Sequence, residues 1–210
     1  MSRGRLIIFN ILGLLILLAL LAGGAYFYYQ NQNYVKSEDA KVSAEMTQIV
    51  APASGQLSGW NYKEGNTVAK GNTLGEVSDG KQALSIKSTL EGTIIKNGAV
   101  NEQLVQAGQV LAQAADLKHL FITANINETD LKEVEKGDSV DIIVDGDSEV
   151  TFKGKVESIG YATNSVFSAL PQQNSNNFTK VTQKVPVKIS ISNPSSKVLP
   201  GMNAEIKISI

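Results

Sequence analysis

The chain has no cysteine and one histidine among its 210 residues, aromatic residues make up only 6%, and the formal net charge is −1. Without cysteine there are no disulfide staples, thiolate metal sites or cysteine nucleophiles, a composition that fits an extracytoplasmic protein avoiding stray oxidation. The lone histidine, His119, follows Leu117 and Lys118, and no G-x-S-x-G elbow accompanies it. A serine-type triad therefore lacks a recognisable setting for both its base and its nucleophile. Lys+Arg of 19 against Asp+Glu of 20 leaves neither a basic field for nucleic acid nor an acidic tail. The densest acidic group, Asp138, Asp141, Asp145, Asp147 and Glu149, lacks the full twelve-residue calcium-loop pattern and reads as a solvated β-turn. Lys70-Gly71-Asn72-Thr73 lacks the glycine order of a phosphate loop. We expect no enzymatic activity, no catalytic residue, no metal and no cofactor.

What the chain does have begins at its N-terminus. After Arg3 and Arg5, residues Leu6 to Tyr29 ("LIIFNILGLLILLALLAGGAYFYY") carry no charge. A helix of that length reaches about 36 Å, more than a hydrocarbon core of about 30 Å. The arginines before the run and Tyr26, Phe27, Tyr28 and Tyr29 after it place the N-terminus in the cytoplasm and the aromatics at the outer interface. The small residues Ala22-Gly23-Gly24-Ala25 also suit a signal peptidase, but the run exceeds the ~7–15 residues of a signal core. The expected order is a cytoplasmic tail at 1–5, a transmembrane helix at 6–29, a polar stalk at 30–41, and extracytoplasmic domains beyond.

From residue 42 to residue 115 the sequence repeats itself. "IVAPASGQLSGWNYKEGNTVAKGNTLGEV", from Ile49 to Val77, aligns without gaps on "IKSTLEGTIIKNGAVNEQLVQAGQVLAQA", from Ile86 to Ala114. Gly55 falls on Gly92, Leu57 on Ile94, Val68 on Val105, Gly71 on Gly108 and Leu74 on Leu111. Each unit reads as short strands joined at glycine bends, and a unit this small cannot bury its own apolar face, so the halves 49–77 and 86–114 must pack together. Two half-motifs of this form resemble the biotinyl/lipoyl fold, a barrel-sandwich of two pseudosymmetric halves. By that resemblance Lys81 occupies the position of the lysine that carries the cofactor, although it is flanked by Gly80 and Gln82 rather than by the usual carrier residues. Trp60 and Tyr62, beside a glycine turn, are either local packing or a contact for a partner.

After Asp116 the pattern changes to longer alternating strands. Ile122, Ala124 and Ile126 alternate with other residues, as do Val140, Ile142 and Val144, then Val185, Val187, Ile189 and Ile191, then Ala204, Ile206, Ile208 and Ile210. Asn127 is placed to cap a short helix over 128–135. Five or six antiparallel strands with one helix suggest a small β-barrel over 116–210. A long Asn/Gln/Ser-rich loop over 163–183, carrying Phe167, Leu170 and Phe178, is expected to be mobile or a contact surface.

The segments "FITANINETDLKEVEKGDSVDIIVD", "FKGKVESIG", "FSALPQQNSNNFTKVTQKVPVKISI" and "LPGMNAEIKI" resemble the β-barrel domain of membrane fusion proteins, specifically the EmrA branch of the HlyD-type adaptors. With the N-terminal run and the split repeat, the resemblance covers nearly the whole chain. It implies a mainly β protein: a transmembrane helix, a lipoyl-like barrel-sandwich domain, then a small antiparallel β-barrel. It further implies an adaptor in the cell membrane, single-pass, forming a homo-oligomer and docking on the outer face of an efflux or secretion transporter, with a major-facilitator drug exporter favoured over an ABC transporter. Family members that cross a periplasm carry a long coiled-coil hairpin between the lipoyl halves, and reaching ~100 Å takes roughly 67 residues per helix. Here only Ser78 to Ser85 stand there, which implies a short form suited to a cell with one membrane. Two other classes stay open at this point: a carrier domain modified on Lys81, and a passive cell-envelope scaffold binding wall polymer.

Overall fold

The computed structural model describes residues 11–24, 33–167 and 182–210. Residues 11–24 are helical and exposed throughout. No helix among the described residues is long and apolar enough to cross a membrane. The flanks of the expected 6–29 span, with Arg3, Arg5, Tyr26, Phe27, Tyr28 and Tyr29, lie outside the described residues.

The repeat is carried into the backbone strand by strand. The first half consists of β2 (Met46–Val50), β3 (Gly55–Ser58), β4 (Thr67–Val68) and β5 (Thr73–Ser78). The second consists of β6 (Ala83–Lys87), β7 (Gly92–Asn97), β8 (Leu104–Val105) and β9 (Val110–Ala115). Each strand of the second half starts 37 residues after its twin, as 83 − 46, 92 − 55, 104 − 67 and 110 − 73 all show. The two sheets run β2-β9-β7-β4 and β6-β5-β3-β8, so exchanging the halves turns one sheet into the other. Between the sheets the apolar twins Ile49 and Ile86, Leu57 and Ile94, Val68 and Val105, and Leu74 and Leu111 are all buried. Burial of such a side chain stabilises by roughly 1.5–3 kcal/mol.

Backbone hydrogen bonds obey the same exchange. The Gly71 N–H donates to the Ser88 carbonyl at 2.7 Å, and the Gly108 N–H donates to the Ala51 carbonyl at 2.8 Å. Likewise the Gly65 N–H reaches the Ile94 carbonyl at 2.8 Å, and the Glu102 N–H reaches the Leu57 carbonyl at 2.7 Å. Gly65 takes φ +87°, but its twin Glu102 is forced into the same left-handed region at φ 70°, where a side chain meets its own backbone. Glu102→Gly should therefore raise the unfolding free energy, by about 0.5–1 kcal/mol after the entropy added to the unfolded chain. Denaturant titration would show it as a higher midpoint at unchanged slope.

The second body is a closed six-stranded antiparallel barrel in the order β1-β10-β13-β12-β11-β14. Its later strands are β10 (Phe121–Asn127), β11 (Ser139–Val144), β12 (Thr151–Ile159), β13 (Lys184–Ser190) and β14 (Asn203–Ser209). The alternating residues read from the sequence fill it, with Ile122, Ile142, Ile189 and Ile208 fully enclosed. Its first strand corrects the expected stalk: β1 (Tyr34–Ser43) covers most of 30–41 and pairs with both β10 and β14. The barrel-sandwich is thus inserted between two neighbouring barrel strands. The expected helix over 128–135 shrinks to a 3-10 turn at Leu131–Glu133, because β10 runs on through Asn127 and no side chain caps the turn.

Candidate docking surfaces

Strand pairing fixes which loops share an end of the barrel. Tyr34 lies opposite Ser209, Asn127 opposite Lys184, and Ser139 opposite Lys155. The chain arriving from the N-terminal segment and both roots of the 163–183 loop therefore meet at one end. At the other end Ser43 lies opposite Phe121, and the barrel-sandwich leaves from there.

The first end is pinned by a polar cluster at a bulge in β1. The register of β1 slips between Ser37 and Ala40, which turns Asp39 toward the neighbouring strands. The Asn125 amide donates to Asp39 at 3.0 Å, Lys184 reaches its other oxygen at 2.7 Å, and the Asn164 amide donates to the Asn125 oxygen at 2.8 Å. The hydrogen bond from Lys184, then that from Asn125, holds the Asp39 carboxyl below the ordinary carboxylate range, with burial opposing. A depressed carboxylate contributes stability above its unfolded pKa, and the contribution is lost as pH falls through the lower folded value. The unfolding free energy should therefore decline below about pH 4. In Asp39→Asn that part of the decline should be shallower, as urea titrations between pH 5 and pH 2.5 would show. Around this cluster Tyr161 and Val166 stand exposed, Tyr161 fully. Leu170, Phe178 and the Phe167 side chain lie outside the described residues.

The sandwich has two ends of its own, and they are twins. At the junction with the barrel, Asp116 accepts the Lys118 N–H at 2.9 Å and the His119 N–H at 3.2 Å. At the turn between the halves, Asp79 accepts the Lys81 and Gln82 N–H groups, each at 2.8 Å. Those backbone donors, Gln82 first, hold the Asp79 carboxyl below its ordinary value. Burial opposes ionisation of Asp116, but the His119 ring at 2.6 Å and the two backbone donors outweigh it, so that carboxyl also lies low. The Asp79–Gln82 turn lies away from the barrel: Thr47, near the junction, touches Thr89, at the far end of the strand that leaves the turn. Only four residues separate β5 from β6 there.

The other sequence-picked residues fall into place around this frame. Trp60 is 3% exposed, which removes it from the candidate contact residues. It packs in the sandwich core, and its indole N–H donates to Asn97, its own twin, at 3.2 Å. Tyr62 stands half-buried against it, edge to face at 6.0 Å. Gly71 and Gly108 lie at turns of the repeat with positive φ, whereas Gly55 and Gly92 are the first residues of β3 and β7. His119 is an exposed junction residue. Within the acidic group, Asp141 pairs with Lys153 at 2.6 Å, and buried Asp147 is held by Ser195 at 2.7 Å and Lys197 at 3.1 Å. No group of residues suited to hold a metal ion occurs among the described residues. Sequence reasoning missed Tyr161 and the Asp39 cluster. The alternation carries no signal for them, since Asn125 takes an outward position between Ala124 and Ile126, where a polar residue is expected.

Residues 45–116 match the family model described as YhbJ, barrel-sandwich hybrid domain, and residues 120–208 match the YknX-like beta-barrel domain. A Bacillus subtilis (strain 168) protein named efflux system component YhbJ is 59% identical over 210 residues, covering 100% of this chain and 95% of that protein. The chain belongs to the HlyD/EmrA-type membrane fusion proteins, the adaptors of efflux systems. The adaptor is also 38% identical over 108 residues to multidrug resistance protein EmrK of Escherichia coli (strain K12), a match to 50% of this chain but only 28% of that longer protein. Among solved structures, membrane fusion protein Spr0693 from Streptococcus pneumoniae R6 shares the fold with a TM-score of 0.60 at 15% identity, covering 84% of this chain and 98% of that one. Adaptors of this family work with a membrane transporter. This one is a short form, with the Asp79–Gln82 turn at the place where other members carry a coiled-coil hairpin.

Proposed function

We propose that this adaptor is held in the cell membrane by a single span over residues 6–29, N-terminus inside, and docks the loop-bearing end of its barrel on the outer face of a transporter. The observation that carries this reading is the common end: the chain enters the barrel at Tyr34 beside both roots of the 163–183 loop. The helix over 11–24 supports it, since its large apolar residues Ile11, Leu12, Leu14, Leu15, Ile16 and Leu17 are all exposed and a helix apolar all round needs lipid or protein cover. With the barrel near the membrane, the sandwich points outward and ends in a four-residue turn, which reaches into a wall layer rather than to a second membrane. The EmrA-like loop sequence favours a major-facilitator drug exporter over an ABC transporter, and adaptors of this kind assemble with further copies of themselves. The test is native capture of the tagged adaptor from membranes with mass spectrometry of what accompanies it. Recovery of a major-facilitator exporter, with raised drug susceptibility on deletion, is the expected outcome. Recovery of no transporter together with unchanged susceptibility would sink the reading.

A further inference from the structure

The internal symmetry supplies its own control for finding a binding site. A feature demanded by the fold should appear in both halves, whereas one serving a ligand can appear in one. Each half carries a groove on the outside of its sandwich sheet, at equivalent backbone positions, yet they differ in size: about 450 Å³ in the first half and about 310 Å³ in the second. The floor explains the difference. Gly59 and Gly75 stand where the second half has Lys96 and Ala112. Both glycines also answer to Trp60, whose twin is Asn97: Gly59 takes a left-handed φ of +71°, and a Cβ on Gly75 would sit 3.0 Å from the Ser58 carbonyl and 3.4 Å from the Trp60 ring. The walls differ in the opposite sense. Tyr62, Asn61 and Glu76 replace Ala99, Gly98 and Gln113. The packing of Trp60 accounts for the floor but not for the rim, where the first half has gained an aromatic ring, an amide and a carboxylate.

We propose that this groove binds a linear glycan. A glycine floor lets a flat ring approach the backbone closely. The Tyr62 ring, fixed edge to face on Trp60, offers an apolar face to the C–H side of a sugar. Around it stand polar groups suited to hydroxyl and acetamido edges. Asn61 is exposed, and Glu76 is exposed with no ion pair among the described residues. Asn66 has its oxygen engaged by the Lys63 N–H at 2.8 Å, which leaves its NH₂ as a donor. The groove is an open channel rather than a closed pocket, so a chain can run through it. The site is independent of which transporter the barrel engages.

Trp60 is the chain's one tryptophan and lies directly beneath the floor, so its emission reports occupancy. The full-length adaptor in phosphatidylcholine nanodiscs would be titrated with the β-1,4-linked tetramer of N-acetylglucosamine, and calorimetry would supply a second readout. A saturable response with a Kd of about 1 mM or tighter is expected. Tyr62→Ala and Glu76→Gln each put the twin's residue type at its position and should weaken binding by about fivefold or more. Glu76→Gln, at an exposed site, should leave the melting curve unchanged, whereas Tyr62→Ala uncovers Trp60 and should lower the melting temperature while the protein stays folded. No saturation in either readout, or variants that bind as well as the parent, would overturn the proposal. Tetraphenylphosphonium filling the groove where the tetramer does not would also overturn it, by assigning the groove to organic cations.

Discussion

Gly55→Ala and Gly92→Ala should each destabilise the adaptor by about 3 kcal/mol, at the upper end of what overpacking costs, and lower its melting temperature by on the order of 10 °C. The reason is the same in both halves. A Cβ on Gly55 would be driven into the backbone carbonyl of Ser78, and one on Gly92 into that of Ala115, well inside contact distance. Both obstacles are backbone atoms already committed to strand pairing, since Gln56 lies opposite Ser78 and Thr93 opposite Ala115. Neither can move aside as a side-chain tip could. Gly98→Ala is the control, because there a Cβ would meet only the Leu111 carbonyl at 3.6 Å, and the twin position already holds Asn61. That variant should be neutral or stabilising by a few tenths of a kcal/mol. Calorimetric scans of the three variants decide it, and equal effects at Gly55 and Gly98 would refute the close-approach argument.

The same two glycines show why so much of this fold is legible in the sequence. A repeat with one constant offset fixes both the strand positions and the exchange relation between the sheets, because each residue must satisfy its environment twice. The barrel's later strands were legible for a different reason: β10, β11, β13 and β14 keep a strict period of two over a half-buried surface. β1 did not announce itself. Its buried residues are Val35, then Ala40 and Val42, odd and then even, because the bulge between Ser37 and Ala40 shifts the phase. A strand whose alternation changes phase midway resembles a polar linker, and the polar stalk expected over 30–41 covers most of it. For Trp60 the sequence leaves local packing and partner contact both open, and the fold decides for packing: Gly59 at φ +71° turns the chain and Gly75 leaves room for the indole, so the ring goes inward. The proposed docking surface was the least legible part. Tyr161 belongs to no period, and its exposure depends on where a closed barrel happens to end.

That exposure leads to the second large effect, on assembly. In the proposed arrangement Tyr161 and Val166 stand at the barrel end that faces the transporter, while Lys81 stands at the far end of the sandwich. Aromatic residues at interface centres contribute about 2 kcal/mol or more to binding, which corresponds to roughly a 30-fold change in affinity. Tyr161→Ala combined with Val166→Asp should therefore reduce capture of the transporter at least tenfold and raise drug susceptibility toward that of the deletion strain. Its melting curve should be unchanged, because both side chains lie outside the core and exposed substitutions shift stability by no more than about 0.5 kcal/mol. Lys81→Glu should leave capture intact, since its turn is closed by Asp79 through backbone donors alone and faces away from the barrel. A reversed pattern, with capture lost in Lys81→Glu and kept in the double variant, would mean that the adaptor stands on its sandwich and points its barrel outward. The two outcomes cannot both hold for a chain whose N-terminal segment enters at Tyr34, so a single capture experiment on the two variants fixes the polarity of the adaptor on the membrane.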